Sequence, residues 1–141
     1  PQSRGQFLWA RRRWGPYCAA PGPPDPDRLA QALRNMARNA IEHTEPDHGM
    51  VRLEVDRIGS DQVRFAVLDD GPGIAPEERE RVFERFHRPD PARNRASGGT
   101  GLGLAIVRAI ADAHGGEVRA LARQPAPGAR VELVLPGFAA A

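Results

Sequence analysis

Asn35 and Asn39 stand four residues apart in the run LAQALRNMARNAIEHT, positions 29–44. At about 100° per residue on a helix they lie side by side and off the apolar face, with Glu42 and His43 one turn further on. Asparagine is a mediocre helix former, and its carbonyl oxygen suits a hard cation such as Mg²⁺, which takes oxygen ligands and keeps several waters. Two solvated surface amides are the plainer reading of the same pair. A second group, Asp69-Asp70-Gly71-Pro72-Gly73-Ile74, follows an alternating run. A carboxylate at a strand end, beside glycines that let the backbone approach a flat ligand, can accept a hydrogen bond from an exocyclic amine such as that of adenine. The same residues also suit a tight turn. The third group is SGGTGLGL at 97–104, which opens directly into Leu104-Ala105-Ile106-Val107. Glycines at a helix start present backbone N–H groups and the positive dipole end to an anion. The chain contains no lysine, and the pattern is neither a Walker loop nor GxGxxG; it is GxGxG at 99, 101 and 103. Alone, it reads equally well as a flexible loop.

These residues need elements to carry them. Leu29, Ala32, Leu33, Met36, Ala37, Ala40 and Ile41 keep helical spacing and make one apolar face. Asp25 or Asp27 can cap the start, and Pro46 and Gly49 end it. Two alternating runs, Val51–Arg57 and Gln62–Leu68, are joined at Gly59-Ser60-Asp61 as a hairpin. A short helical stretch is expected at Pro76–Phe86, then a loop rich in arginine and proline over His87–Gly98. A second strong helix covers Leu102–His114. Two last strands, Gly116–Arg123 and Ala129–Leu135, flank the turn QPAPG. Helix, hairpin, helix, helix, hairpin without a repeat is α+β, one mixed or antiparallel sheet covered on one face by helices.

The 141 residues suit one domain. Lone Cys18 cannot make an internal disulfide. No apolar run reaches membrane-spanning length and none has the order of a signal peptide, so a cytoplasmic protein is the expectation. All twenty basic residues are arginine, which reads as a genome-composition bias. Arg4 and Arg11–Arg13 carry four positive charges, so the net +2 becomes −2 once the first 24 residues are set aside. The body of the domain therefore offers no bulk nucleic-acid surface. Those first 24 residues, with both tryptophans and no sustained periodicity, read as a tail, linker remnant or expression scar. A membrane or nucleic-acid contact through Arg11–Arg13, Trp9 and Trp14 is the alternative.

Taken together and in order, the motifs resemble the ATP-binding catalytic domain of sensor histidine kinases. LxxALxNMxxNAIEHT (29–44) is similar to the family's N box and DDGPGI (69–74) to its first glycine box. FERF (83–86) is similar to the phenylalanine box, and GGTGLGLAIV (98–107) to the second glycine box. The likeness runs from about Asp25 to Pro136, nearly four fifths of the chain. It implies a two-layer α/β sandwich of the Bergerat type, a mixed, mostly antiparallel sheet under about three helices, with a mobile ATP lid. The implied layout is an unassigned segment 1–24, a catalytic domain 25–137 and a short tail 138–141. By the resemblance Asn39 would bind Mg²⁺, with Asn35 close to metal and phosphates. Asp69 would accept from the adenine amino group, and Gly71 and Gly73 would permit close approach to the base. Gly99, Thr100, Gly101, Leu102 and Gly103 would shape the lid hinge and the phosphate contacts. His43 would stand near the nucleotide, and Phe83 and Phe86 would anchor the lid by packing.

Related hydrolases of the same superfamily, gyrase, the large heat-shock chaperones and the mismatch-repair ATPases, carry a water-activating glutamate four residues before the metal-binding asparagine. Here that position is Asn35, an amide that cannot act as a base. Anti-sigma serine kinases tend to keep the glutamate too. A neutral imidazole is already nucleophilic, so the resemblance implies Mg-ATP-dependent phosphoryl transfer to histidine, with no catalytic side chain assigned. None of His43, His48, His87 and His114 is followed by the family's acceptor motif. The acceptor would then sit on a dimerisation domain or partner chain, with a response regulator downstream. The chain would be an excised catalytic domain or one half of a split kinase. Glu42 stands where the family often has a basic residue, so phosphate neutralisation falls to Mg²⁺ and a lid arginine, Arg88 ahead of Arg93 or Arg95. A non-catalytic ATP-sensing module controlling a partner is the reading from a different class, and an anti-sigma-type serine kinase is the other alternative.

Overall fold

A computed structural model describes residues 22–87 and 101–139. Helix α1 spans Pro26–Glu42. Its start is set by Asp25, whose carboxylate accepts from the backbone N–H groups of Asp27 at 2.9 Å and Arg28 at 3.5 Å, with Pro26 in the first turn, where no N–H is needed. Strands β1, Val51–Ile58, and β2, Gln62–Asp69, form the predicted hairpin, closed by Gly59 at φ +65°. Helix α2 is Gly103–Ala113; strands β3, Glu117–Ala122, and β4, Ala129–Leu135, follow. The sheet order is β1-β2-β4-β3 and every described pairing is antiparallel.

Both helices lie on one face. Ala32, Met36 and Ala40 of α1 and Leu104, Val107, Ile110 and Ala111 of α2 close over Phe65 and Val67 of β2 and Val131, Leu133 and Leu135 of β4. Met36, Val107, Leu133 and Leu135 are the largest fully buried side chains, each worth about 1.5–3 kcal/mol of burial. Phe138 packs its ring on Phe65, centroids 6.0 Å apart, and its N–H donates to Asp61 O.

The helix expected over Pro76–Phe86 is instead two single 3₁₀ turns, Pro76–Glu78 and Arg81–Phe83. The reason lies in EERER at 77–81: five consecutive charged residues leave a longer helix no apolar stripe to bury. Only the far end is anchored, with Phe83 in the core and Val82 against it. Within the described residues the helical layer consists of α1, α2 and these two short turns.

Candidate functional site

The site grows from the end of β2. Leu68 pairs with Arg130, and one residue later Asp69 turns its carboxylate into a nearly closed position, 4 % exposed. Oδ1 accepts from the N–H groups of Gly71 at 3.0 Å and Ala129 at 3.3 Å. Among the described residues Oδ2 accepts no hydrogen bond, leaving it for a donor from outside the chain. Asp70 does something else. Its Oδ1 accepts from the Met50 N–H at 2.9 Å and its own N–H donates to Met50 O at 3.3 Å, which seals the end of the β1–β2 ladder. Sequence order alone does not separate these two aspartates.

Three segments crowd around Asp69, and glycine is what lets them. A Cβ on Gly71 would stand 2.3 Å from the His43 carbonyl oxygen, so the turn after β2 presses on the end of α1. Gly73, at φ +81°, approaches Gly128 O in the same way. Gly128, at φ +133°, would place a Cβ 1.9 Å from Asp69 O. The expected close approach is thus made by the chain on itself: Gly71 is required by packing and Gly73, whose Cβ would stand 3.2 Å from Gly128 O, by its positive φ. The contribution of Gly128 and Ala129 was missed in the sequence; QPAPG reads as a turn, and nothing in it says that the turn ends on Asp69.

Asn35 and Asn39 lie on α1, both half-buried. The Asn35 side-chain amide donates to Gly103 O at 3.3 Å, which ties α1 to the first residue of α2. The backbone carbonyl oxygen of Asn39 accepts from Nδ1 of His43 at 2.7 Å, which holds the exposed His43 ring against the last turn of α1 and leaves the Asn39 side-chain amide uninvolved in that bond. Gly101 sits at φ +72°, and its carbonyl oxygen accepts from the Phe86 N–H at 3.0 Å. That bond joins the two ends of the stretch containing Arg88, Arg93, Arg95, Gly98, Gly99 and Thr100, all of which lie outside the described residues. Leu102 precedes α2 without a side-chain cap, so among the described residues the first N–H groups of that helix have no capping side chain. Phe83 is buried, whereas Phe86 holds φ +60° and is 72 % exposed. Also unforeseen, His87 Nε2 pairs with Glu78 Oε2 and clips the base of this stretch to the first 3₁₀ turn.

A helix layer over an antiparallel sheet, a buried strand-end carboxylate and a glycine-opened helix held to an asparagine-bearing one define the ATPase class of nucleotide-binding sandwich. The chain belongs to the histidine kinase-, DNA gyrase B- and HSP90-like ATPase family, whose model matches residues 24–138. Within that family its likeness is to sensor histidine kinases. It is 46 % identical over 114 residues to the sensor-like histidine kinase SenX3 of Mycobacterium tuberculosis, covering 81 % of this chain and 27 % of that one. The mycobacterial sensor histidine kinase MprB superposes with a TM-score of 0.71 at 38 % identity, over 82 % of this chain and 74 % of the other. Full-length ShkA in complex with AMPPNP gives 0.65 at 39 %, over 81 % and 22 %. This is the catalytic-domain type of a protein-histidine kinase, and the chain spans about a quarter of the length of such curated relatives.

Proposed function

We propose that this chain binds Mg-ATP and supplies the γ-phosphoryl group to a histidine on a separate domain or partner chain, which in turn serves a response regulator. The observation that carries the reading is Asp69. A carboxylate 4 % exposed, held through Oδ1 by two backbone N–H groups, keeps Oδ2 as an acceptor for an amine. An adenine amino group is such a donor, and a related kinase has been solved with AMPPNP. The uncapped start of α2 supplies N–H groups and the helix dipole for phosphate, in place of the absent lysine. Gly101, Leu102 and Gly103 fall at that end, and Gly99 and Thr100 precede them in the sequence.

The donor set fits a hard cation modestly. Asn39 offers an amide oxygen, Asn35 lies one turn away, and among the described residues no group of three or more His, Cys, Asp and Glu gathers. Mg²⁺ bound here would take its other oxygens from phosphate and water, and it supplies charge screening when present. The chain itself orients and desolvates. Asn35, committed as a donor to Gly103 O, is an amide and cannot take a proton from water or a hydroxyl. An imidazole needs no such help, which favours histidine over serine or water as acceptor. The acceptor is external. His114 has both ring nitrogens engaged, by Ile110 O and the Asp25 N–H, and none of His43, His48, His87 and His114 is followed by the family's acceptor motif. A cytoplasmic location follows for such a catalytic domain, and no described helix is long and apolar enough to cross a membrane.

Asp69→Asn keeps Oδ1 for Gly71 and Ala129 but places an amide N–H₂ where the ligand amine should donate. Calorimetry should show adenine nucleotide affinity reduced about 10- to 100-fold; unchanged affinity overturns the assignment. Labelled ATP with a histidine-bearing dimerisation domain should leave acid-labile label on that domain. Asn39→Ala should abolish Mg-dependent transfer more than base binding. Binding without transfer across such partners would favour the sensing module instead.

A further inference from the structure

Asp70 stands one residue past the buried Asp69, and its bonds decide where β2 stops. The register of β1 and β2 runs from Ile58 opposite Gln62 to Val51 opposite Asp69, so the next pair in line is Met50 with Asp70. Half of that pair forms, since the Asp70 N–H donates to Met50 O at 3.3 Å. In a continued antiparallel ladder the Met50 N–H would return to the Asp70 carbonyl oxygen. It donates instead to Asp70 Oδ1, at 2.9 Å. The carboxylate takes the carbonyl's place, and the peptide after Asp70 leaves the sheet where the chain must turn.

The contacts that build the site depend on that release. The Gly71 N–H donates to Asp69 Oδ1 at 3.0 Å, and Gly71 lies so near α1 that a Cβ would stand 2.3 Å from His43 O. Both contacts need the Asp70–Gly71 peptide out of the ladder. Were the Asp70 carbonyl drawn back to the Met50 N–H, β2 would lengthen and carry Gly71 away from α1. Asp69 Oδ1 would then keep only the Ala129 N–H, at 3.3 Å, and the carboxylate could turn. Asp70 is exposed and Met50 is 57 % exposed, so this pair does not fill the core. We propose that Asp70 is a positioning residue. By ending β2 with its own side chain it fixes the direction of Asp69 Oδ2, and so the preference of the site for a purine that bears an amine, a role that rests on Asp69 being the amine acceptor.

Calorimetry of the 141-residue chain with Mg-ATP and with the triphosphate of purine riboside, which lacks the exocyclic amine, tests this. The parent should favour ATP about 10-fold or more, the worth of one hydrogen bond to a charged acceptor. In Asp70→Ala that preference should shrink at least ~5-fold, while Asp70→Asn, which keeps an acceptor oxygen for Met50 without the charge, should hold it within ~2-fold. Amide hydrogen exchange without nucleotide adds a readout independent of the ligand: the Gly71 N–H should lose protection in Asp70→Ala and keep it in Asp70→Asn. An undiminished preference for ATP in Asp70→Ala overturns the proposal. So do equal losses in the two variants, unchanged Gly71 exchange, or a weakening of both triphosphates alike, which would make the role of Asp70 structural only. A parent that does not distinguish the two triphosphates overturns the reading of Asp69 itself, and the role of Asp70 with it.

Discussion

At the scale of single residues, the site is built by close approach of backbone to backbone, and glycine is the residue type that permits it. Gly71 is the sharpest case: its missing Cβ would stand 2.3 Å from the carbonyl oxygen of His43 and 3.0 Å from Asp69 Oδ1. Neither atom is the loose end of a flexible chain; one is backbone and the other is fixed by two hydrogen bonds. Gly71→Ala should therefore cost about 1–3 kcal/mol of stability in a urea melt and weaken nucleotide binding in parallel, since α1 must move away from Asp69. A variant as stable as the parent would show that the turn is not pressed on α1 as described. The motif letters made Gly71 visible, but they pointed to a ligand as the reason. The actual neighbour, His43, is 28 positions away in the chain, and no local pattern encodes that encounter.

At the scale of elements, α1 and α2 are held to each other at both ends of their shared face. Asn35 reaches Gly103 at the start of α2, and the Asp25 N–H donates to His114 Nε2 at its end, 3.2 Å away. Asp25 also caps α1 through its carboxylate. Asp25→Ala should thus destabilise by about 1 kcal/mol, whereas Asp25→Asn, which keeps an acceptor oxygen, should lose only a fraction of that. Equal losses in thermal melts would assign the effect to something other than the cap. Both helices and all four strands were legible in the sequence because each has a strong pattern: seven apolar residues at helical spacing in α1, strict alternation in β1, and in β2 an alternation that passes into the apolar run Phe65–Leu68. The stretch 76–86 was misread because proline and FERF suggest a helix while EERER withholds the buried face it needs. Asp69 was legible as a strand-end carboxylate. Its second backbone donor, Ala129, was not, because the β2–β4 pairing that delivers it joins strands 60 positions apart.

At the scale of the whole molecule, the sheet has two unlike faces, and the one away from the helices is held by charge. Glu132 is 3 % exposed, with Arg130 Nε at 2.8 Å, Arg119 at 2.9 Å and Arg64 at 3.9 Å. The aliphatic stems of such arginines can shield the inner strands from water, and Ala66 and Leu68 on this face are buried. Arg130 also donates to Glu54 at 2.8 Å, which extends the network to β1. Burial alone would make Arg130 easier to deprotonate, yet its hydrogen bonds to Glu132 and Glu54 prevail and hold it more firmly charged. The Arg130 hydrogen bond is also the main reason that Glu54 sits below its ordinary value of 4.5, against a smaller opposing effect of burial. A carboxylate whose folded pKa is lowered binds protons less readily folded than unfolded. Its contribution is complete above the ordinary value and lost as pH falls through the lowered one. Glu54→Gln should therefore be less stable than the parent near neutrality, and the gap between their melting temperatures should shrink steadily once pH drops below 4.5. Glu54 faces solvent, so added salt should narrow the neutral-pH gap as well. Thermal melts of both proteins across that pH range provide the check. A gap that stays constant into strong acid would mean that Glu54 acts through packing rather than charge, and that the outer face is not held electrostatically at β1.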